Sequence, residues 1–339
     1  MHCCDATHWA AHSAPLPRSE HAVSQRQEEL QTEGYTRLPH ATTAIEATAL
    51  ATAIARLVRA GWHPLWCLVF DESWLWLSRM RRVLEAVINK DAAPNFDYMA
   101  WYIDPCRSEA GWVPHRDRRN MPVERGAAPL YCTVWLALTE ATPLNGCMHI
   151  LPADRDVAYG ANDIVTDAHD YECAHKWVQD IRALPCEPAE ALVWTGRALH
   201  FGGRSCARAP VPRISIACAL SVPDFEDPHL RIPGGLFGNS HEALGTPTEV
   251  GDADEHEGGM RMPSLLERLR VITVQLLAYD APLESKAEIC EQQRRLVHAL
   301  ESLFDTEEDS EEAREDKAVE KDKEDREAEE ENKDMHASK

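Results

Sequence analysis

The chain has 339 residues, of which 44% are hydrophobic, and a formal net charge of −22. A chain of this length can bury a substantial core without disulfide or metal staples. The acidic balance argues against binding to a nucleic-acid backbone, which needs clustered lysine and arginine. No stretch reaches the ~20 apolar residues that a membrane-spanning helix requires. We therefore expect a globular protein with neither a nucleic-acid partner nor a membrane partner.

The eleven cysteines indicate a reducing compartment. They are scattered, form no CxxC pairs and lack the regular spacing of a disulfide framework. The first 15 residues contain Asp5 and three histidines and have no uninterrupted apolar run, so they do not resemble a signal peptide. We therefore expect free thiols and a cytoplasmic location.

The N-terminal part of the chain is predicted to be helical. Residues 1–25 are expected to form a disordered lead, and a short strand-like entry follows over 33–39. Two helices are then predicted, over 43–60 and 71–89. In both, apolar residues recur every three to four positions, which gives each helix one buried face.

From residue 95 onward, short apolar runs alternate with proline, glycine and asparagine. Five strands are predicted, over residues 98–103, 129–138, 147–151, 191–194 and 213–222. Asn145-Gly146 between two of them is a typical hairpin turn. Short strands after N-terminal helices, without regular alternation of strand and helix, favour a mainly β domain with flanking helices, within the α+β class. A jelly-roll-like barrel is the expected architecture.

The rest of the chain is predicted to surround or follow this barrel. A polar insertion over 153–185, with a helical patch over 174–182, is expected to form a lid or a wall. After a long loop, helices over 263–279 and 283–304 carry apolar stripes. Docking on the barrel is the preferred interpretation of these stripes, and a dimer contact is the alternative. The predicted divisions are a lead (1–25), a β domain with its N-terminal helices (26–262), a helical extension (263–304) and a disordered tail (305–339).

The tail is strongly acidic. It contains 17 acidic and 7 basic residues, a net of −10. Such a block is usually solvated, and a basic protein is the partner that it would recruit.

The segment Trp112-Val113-Pro114-His115-Arg116-Asp117 is the first candidate for metal binding. Side chains at positions i and i+2 of an extended segment point to the same face, so His115 and Asp117 can hold one metal ion from one side. A second histidine would complete a 2-His-1-carboxylate triad, which binds Fe(II) and leaves positions open. Such pairs are common on surfaces, so further residues are needed.

Two later segments supply such residues. His200 follows a predicted strand and a tight turn, and Arg213 opens the next strand. On that strand Arg213, Ser215 and Ala217 share one face, and apolar residues share the other. A guanidinium with a hydroxyl two residues further on is well suited to clamp a carboxylate. This face therefore fits a barrel lumen that holds a ligand.

Together these motifs resemble the phytanoyl-CoA dioxygenase family. The resemblance runs from residue 34 to residue 222 and includes the His115/Asp117 pair, the strand with Trp135, the turn over 142–152, the distal His200, and Arg213 with Ser215. It implies a double-stranded β-helix core and an oxygenase that depends on Fe(II) and 2-oxoglutarate. Dioxygen would be the second cosubstrate, and ascorbate would serve as a reductant.

The resemblance also implies roles for single residues. His115, Asp117 and His200 would be the iron ligands. Arg213, helped by Ser215, would bind the far carboxylate of 2-oxoglutarate. The expected reaction is hydroxylation, with release of succinate and carbon dioxide.

Other residues are expected around the cosubstrate and the substrate. Trp135 matches a position that lines the cosubstrate pocket. The substrate side is expected to include Trp101, Tyr102, Arg116 and the arginine-rich loop after Asp117. A mixture of aromatic and cationic groups suits a small or medium organic molecule with an anionic group.

The chain departs from the family in two places. Where the family reads Pro-Gly-Ser-His, this chain has Pro152-Ala153-Asp154-Arg155, which predicts a remodelled loop. The interval before Arg213 is slightly long and contains Arg204 and Arg208, so both stay alternatives for the 2-oxoglutarate contact. The presence of Asp117 argues against a halogenase-like variant.

One alternative function belongs to a different class. A degenerate barrel would bind metal and 2-oxoglutarate without turnover and act as an adaptor through its acidic tail. The intact ligand set favours the enzyme.

Overall fold

The computed structural model describes residues 20–88, 90–123, 127–160, 177–222, 225 and 262–276. The chain divides into two units, Met1–Ala278 and Tyr279–Lys339, and all described residues belong to the first. Its described helices are α1 (Glu20–Thr32), α2 (Ala44–Arg59), α3 (Asp71–Ile88) and α4 (Leu265–Gln275), with short 3-10 helices at Pro64–Val69 and Pro105–Arg107. Its strands are β1 (Tyr35–Leu38), β2 (Ala93–Ile103), β3 (Tyr131–Ala137), β4 (Met148–Ile150), β5 (Arg182–Leu184), β6 (Ala191–Thr195), β7 (His200–Gly202) and β8 (Arg213–Ser221).

The strands form two antiparallel sheets. The large sheet has the order β1-β6-β3-β8-β2, and the small sheet has the order β5-β4-β7. Their facing sides share one apolar cluster, to which Trp135 and Leu192 contribute from the large sheet and Met148 and Ile150 from the small sheet. This arrangement confirms the predicted fold class, a mainly β, double-stranded β-helix core with flanking helices.

Strand β8 lies in the interior and is buried along its whole length. Ile214 and Ile216 belong to the core between the large sheet and the helices. Arg213 and Ala217 point to the opposite side, into a cavity between the sheets. The predicted division of this strand into two faces is therefore confirmed, because neighbouring side chains alternate across a sheet.

Helices α2 and α3 cover the outer face of the large sheet, close to their predicted bounds. Thr43 caps α2 in a capping box with Glu46, which satisfies two backbone donors at the start of the helix. Leu50 and Ile54 are fully buried, and each contributes roughly 1.5–3 kcal/mol by leaving water. Arg79 of α3 donates hydrogen bonds of 3.0 and 3.1 Å to the Glu46 carboxylate, which links the two helices.

Helix α4 docks on this outer layer, as the sequence predicts for the first C-terminal helix. Arg268 makes a 2.5 Å ion pair with Asp71 and donates a 2.8 Å hydrogen bond to the carbonyl of Val69. Gln275 donates to the carbonyl of Phe96, which lies at a bulge in β2 with a φ of 59°. The predicted helix over 283–304 and the acidic tail lie outside the described residues, so the domain divisions and the basic partner stay predictions.

Three local predictions differ from the structure. Residues 20–25 belong to helix α1 rather than to a disordered lead. The sequence shows no clear helical pattern here, because α1 is polar and buries few apolar side chains, Leu30 among them. Asn145-Gly146 does not form a hairpin, because β3 and β4 lie in different sheets. The sequence does not predict β5 and β7, whose three residues are too few to show an alternating pattern.

The backbone conformation and the close packing at position 146 both require glycine. Its φ is +89°, and an added Cβ would lie 2.5 Å from the carbonyl oxygen of Gly203. The turn thus carries the chain from one sheet to the other in close contact with the segment after β7. Within the described residues, no helix is long and apolar enough to cross a membrane.

Candidate active site

The two predicted histidine ligands are joined by an isolated antiparallel bridge. The backbone N–H of each donates to the carbonyl of the other at 3.0 Å, and the ring centroids lie 4.3 Å apart. Nδ1 of His115 lies 2.8 Å from the carbonyl oxygen of Val113, and Nδ1 of His200 lies 3.0 Å from that of Ala198. Because a carbonyl only accepts, both Nδ1 atoms donate, and each Nε2 keeps its lone pair for a metal.

Asp117 completes the cluster. Its Oδ1 lies 3.4 Å from Nε2 of His115 and 3.5 Å from Nε2 of His200. Its Oδ2 accepts hydrogen bonds from the Thr133 hydroxyl at 2.6 Å and from the Trp194 indole at 2.9 Å. One ligand atom from each of the three residues lies within 4.8 Å of the others, and no other such group of His, Cys, Asp or Glu occurs in the described part of the chain.

The electrostatics of the cluster suit a divalent cation. Burial alone would raise the pKa of Asp117, but the two histidines and the Thr133 hydroxyl hold that pKa well below its usual range. Burial lowers the pKa of His200 to about 4, so its ring is neutral at pH 7. Burial acts in the same direction on His115, but the adjacent Asp117 carboxylate outweighs it and raises the pKa of His115. A carboxylate beside two imidazoles is a donor set for Fe(II).

Arg213 is a buried cation on the wall of the same cavity. Its side chain is 1% exposed, and its Nη1 donates a 3.0 Å hydrogen bond to the Ser215 hydroxyl. Its Nε has no hydrogen-bond partner, and among the described residues it has no acidic partner. Burial lowers the pKa of Arg213 to about 10, so it stays charged at pH 7. An uncompensated buried charge is costly, which indicates a site built for an anion.

One cavity brings these groups together, with an empty volume of about 570 Å³. His115, Asp117, His200 and Arg213 line it, and so does Trp135, whose ring centroid lies 5.6 Å from the guanidinium carbon of Arg213. The remaining lining residues are Asp97, Met99, Trp101, Gly111, Trp112, Tyr131, Thr133, Met148, Trp194, Gly202, Ala217, Cys218 and Ala219. The predicted Trp101 is therefore on the wall. Ser215 does not line the cavity, but its hydroxyl accepts the hydrogen bond from Arg213.

A close backbone contact lies beside Arg213. A Cβ added at Gly202 would lie 2.6 Å from the Cα of Gly111. A Cβ added at Gly111 would also lie 3.3 Å from Nη2 of Arg213. Gly202 therefore lets two backbone segments meet at the edge of the cavity.

The two alternative arginines lie outside the cavity. Arg204 is exposed and donates a 2.8 Å hydrogen bond to the carbonyl of Ser108. Arg208 is exposed, and its Nε lies 3.5 Å from the sulfur of Cys206. Of the three, the structure places Arg213 alone on the cavity wall.

Two predicted substrate residues are not in the cavity. Tyr102 pairs with Ile214 and packs against the helix-facing core. Arg116 is 4% exposed and makes a 2.5 Å ion pair with Asp156, and it also donates to the carbonyl of Arg197 at 2.6 Å. Trp101, before Tyr102, faces the cavity, and so do His115 and Asp117 on either side of Arg116. Adjacent side chains of an extended backbone point to opposite faces, so Tyr102 and Arg116 point away.

The described parts of the arginine-rich loop and of the insertion do not line the cavity. Residues 161–176 of the insertion lie outside the described residues. Arg118 makes a 3.6 Å ion pair with Asp97 and lies 4.3 Å above the Tyr131 ring. Because Arg116 and Arg118 are both paired to carboxylates, neither gives the cavity an uncompensated positive charge.

Sequence reasoning missed the two donors to Asp117. Thr133 lies two residues before Trp135 on β3, so alternation would have placed both on one face. Trp194 lies opposite Thr133 in the pairing of β3 with β6. That contact depends on the register between strands far apart in sequence, which no local pattern reveals.

A comparison with models of protein families identifies a known family. The family model described as phytanoyl-CoA dioxygenase (PhyH) matches residues 28–208. Curated protein sequences give no match.

Three solved structures resemble the chain. One is a non-heme alpha ketoglutarate dependent epimerase, SnoN from nogalamycin biosynthesis, with 17% identity, coverage of 65% of this chain and 95% of that chain, and a TM-score of 0.48. The second is AviO1 from Streptomyces viridochromogenes Tue57, with 18% identity, coverage of 62% of this chain and 98% of that chain, and a TM-score of 0.46. The third is EctD from S. alaskensis in its apoform, with 15% identity, coverage of 63% of this chain and 81% of that chain, and a TM-score of 0.44. At identities this low, the likenesses say nothing about reaction or substrate.

The family model matches more than half of the chain, and this match shows its family. The chain belongs to the phytanoyl-CoA dioxygenase (PhyH) family, a family of Fe(II)- and 2-oxoglutarate-dependent oxygenases.

Proposed function

We propose that the protein oxidises a small or medium organic molecule with 2-oxoglutarate as cosubstrate, by hydroxylation, and releases succinate and carbon dioxide. The observation that carries this proposal is one cavity that combines a three-donor cluster with a buried arginine that has no acidic partner among the described residues.

In this proposal His115, Asp117 and His200 hold one Fe(II). Two imidazole Nε2 atoms converge on a single carboxylate oxygen, and backbone carbonyls fix the orientation of both rings. This arrangement supports iron, because two neutral nitrogens and one carboxylate on one side of a metal leave its other positions open. When bound, Fe(II) would supply, together with 2-oxoglutarate and dioxygen, the oxidising power needed to attack an unactivated C–H bond.

Arg213 would bind the far carboxylate of 2-oxoglutarate. Nε of Arg213 has no hydrogen-bond partner, so its N–H can donate to an anion. Nη1 donates one hydrogen bond to Ser215 and has a second N–H. The ring of Trp135 provides a flat wall beside the guanidinium. Binding of a carboxylate would neutralise a buried charge, which the cavity otherwise leaves uncompensated. The planar guanidinium would also fix the orientation of the cosubstrate through paired hydrogen bonds.

Aromatic side chains would form the substrate wall. The rings of Trp101 and Trp112 meet edge to face at 5.5 Å, and Trp112 lies 5.2 Å from the ring of His115. These residues would hold an apolar part of the substrate near the metal and exclude water from it. We therefore propose a substrate with an apolar skeleton. The expected anionic group loses support, because Arg116 and Arg118 are paired with carboxylates.

Succinate formation tests the proposal. The full chain is incubated with Fe(II), 2-oxoglutarate, ascorbate and dioxygen, with and without a panel of organic substrates, and Asp117→Ala serves as the blank. We expect slow uncoupled succinate release by the wild type, stimulation by a true substrate, and neither in Asp117→Ala. A wild type that binds one Fe(II) and 2-oxoglutarate but releases no succinate under any condition would instead support the adaptor function.

A further inference from the structure

Two hydrogen-bond donors contact the same oxygen of Asp117. The Thr133 hydroxyl donates to Oδ2 at 2.6 Å, and the Trp194 indole N–H donates to Oδ2 at 2.9 Å. The other oxygen, Oδ1, is the one that faces Nε2 of His115 and of His200, at 3.4 and 3.5 Å. The carboxylate is thus divided into one oxygen that is held by the protein and one that faces the proposed metal.

This division matters for the number of positions that an iron ion would keep open. Carboxylates bind metals through one oxygen or through both. Two imidazoles and one carboxylate oxygen leave three positions of an octahedron open, which suffice for 2-oxoglutarate as a chelate and for dioxygen. If both oxygens of Asp117 were bound, the protein and 2-oxoglutarate would fill every position, and none would remain for dioxygen.

We propose that Thr133 and Trp194 are positioning residues that restrict Asp117 to single-oxygen binding and so keep one position open beside 2-oxoglutarate. This inference rests on the proposed function. Its geometric basis is a pair of rigid supports: the two residues lie opposite each other on β3 and β6 in the middle of the large sheet. Trp194 is 3% exposed, and its ring also packs 4.6 Å from that of His200. Because both donors belong to paired strands, rotation of the carboxylate away from them would break both hydrogen bonds.

A purely structural role is the competing explanation. Buried carboxylates need hydrogen-bond partners in any case, so both donors would then only stabilise the fold. In that case, removal of a donor would lower stability and would change the affinities for Fe(II), 2-oxoglutarate and a dioxygen analogue together. The positioning role instead requires a selective loss, confined to the ligand that needs the last open position.

Four full-length variants separate these roles. Thr133→Val removes the hydroxyl at nearly constant volume, and Thr133→Ser keeps the hydroxyl as a matched control. Trp194→Phe removes the N–H but keeps an aromatic ring over His200. The fourth variant combines Thr133→Val with Trp194→Phe. For each, the midpoint of thermal unfolding and the anaerobic dissociation constants for Fe(II) and 2-oxoglutarate are measured. Nitric oxide then serves as the dioxygen analogue, and its binding to the loaded protein is followed by electron paramagnetic resonance.

The expected result is a selective loss. In the double variant, Fe(II) and 2-oxoglutarate should bind within about threefold of the wild type, whereas nitric oxide should bind about tenfold more weakly or worse, since hydrogen bonds to a charged group are strong. Thr133→Ser should behave as the wild type. Thr133→Val alone should show an intermediate effect and remains informative if Trp194→Phe fails to fold.

Three outcomes would overturn the inference. One is nitric oxide binding that stays at the wild-type level in Thr133→Val and in the double variant. Another is a loss in Thr133→Ser as large as that in Thr133→Val, because the hydroxyl would then be irrelevant. The third is equal weakening of Fe(II), 2-oxoglutarate and nitric oxide. A wild type that binds no Fe(II) at all is distinguishable from these, since it refutes the proposed function itself and the inference with it.

Discussion

His115 and His200 exchange both backbone hydrogen bonds of a single antiparallel bridge, each 3.0 Å long. His115 precedes β3, and His200 opens β7 of the small sheet. The bridge therefore sets the register between two distant parts of the chain at the same place where their side chains meet Asp117. Because the backbone fixes both histidines, the donor cluster does not depend on side-chain contacts alone.

The first prediction concerns metal binding. Replacement of His200 by alanine removes one of three converging donors, and we expect Fe(II) affinity to fall by about 100-fold or more. His115→Ala should behave alike. Anaerobic titration with Fe(II) measures both. His149→Ala is the matched control, since His149 stacks on Phe201 outside the cavity and should leave the affinity unchanged. Stoichiometric binding of equal strength by His115→Ala and the wild type would contradict the assignment.

The second prediction concerns 2-oxoglutarate. Arg213→Lys keeps a positive charge but loses the paired donors of the guanidinium, so the dissociation constant for 2-oxoglutarate should rise by about tenfold or more. Isothermal titration calorimetry on the Fe(II)-loaded, oxygen-free protein measures it. Arg204→Lys and Arg208→Lys are controls from the protein surface and should match the wild type. If only the Arg208 change weakens binding, Arg213 is the wrong arginine.

The third prediction concerns the glycine contact beside Arg213. In Gly202→Ala the new methyl group would lie 2.6 Å from the Cα of Gly111, so one backbone segment has to move. We expect a loss of about 1–3 kcal/mol in the free energy of unfolding, as for other overpacked sites, together with weaker 2-oxoglutarate binding.

Chemical denaturation and calorimetry measure the two effects of Gly202→Ala. Gly160→Ala is the matched control, because a Cβ there meets no atom within 4 Å. Equal stability of Gly202→Ala and the wild type would show that the two segments separate without cost.

The fourth prediction concerns the dependence of stability on pH. Burial alone would raise the pKa of Glu46, but hydrogen bonds from Arg79, Thr42 and the backbone of Thr43 outweigh it and lower that pKa. A carboxyl whose pKa is lower in the folded state stabilises that state at pH values above its unfolded pKa, about 4.5. This contribution is lost as the pH falls from there through the lowered pKa of the folded state.

Removal of the Glu46 charge should therefore matter most at neutral pH. We expect Glu46→Gln to destabilise the protein at pH 7 by about 3 kcal/mol, because Arg79 is left buried with a weaker partner. The difference from the wild type should shrink towards pH 3. Urea unfolding across this pH range measures it, with Glu28→Gln on the exposed side of α1 as control. A constant difference at all pH values would show that the charge of Glu46 does not contribute.

Some features of this protein follow from its sequence alone. The apolar spacing over 43–60 predicts α2 to within one residue at each end. Alternation along β8 separates Arg213 and Ala217 from the apolar residues of the other face. These features are local, because helical and strand periods are set by the backbone and appear in any run of neighbouring residues. The order of the His-x-Asp motif, the distal histidine and the arginine is equally visible, and it points to the family.

Other features were decided only by the tertiary structure. Alternation along the backbone places Tyr102 on the opposite face from Trp101, and Arg116 on the opposite face from His115 and Asp117. Which of the two faces meets the cavity depends on how the sheets stack. The donors to Asp117 come from Thr133 and from Trp194, whose contact is created by the pairing of β3 with β6. Strand pairing joins residues that are distant in the chain, and its register is set by the packing of the whole core. The sequence therefore identifies the candidate donor groups, whereas the fold determines which oxygen of the Asp117 carboxylate accepts the hydrogen bonds of Thr133 and Trp194.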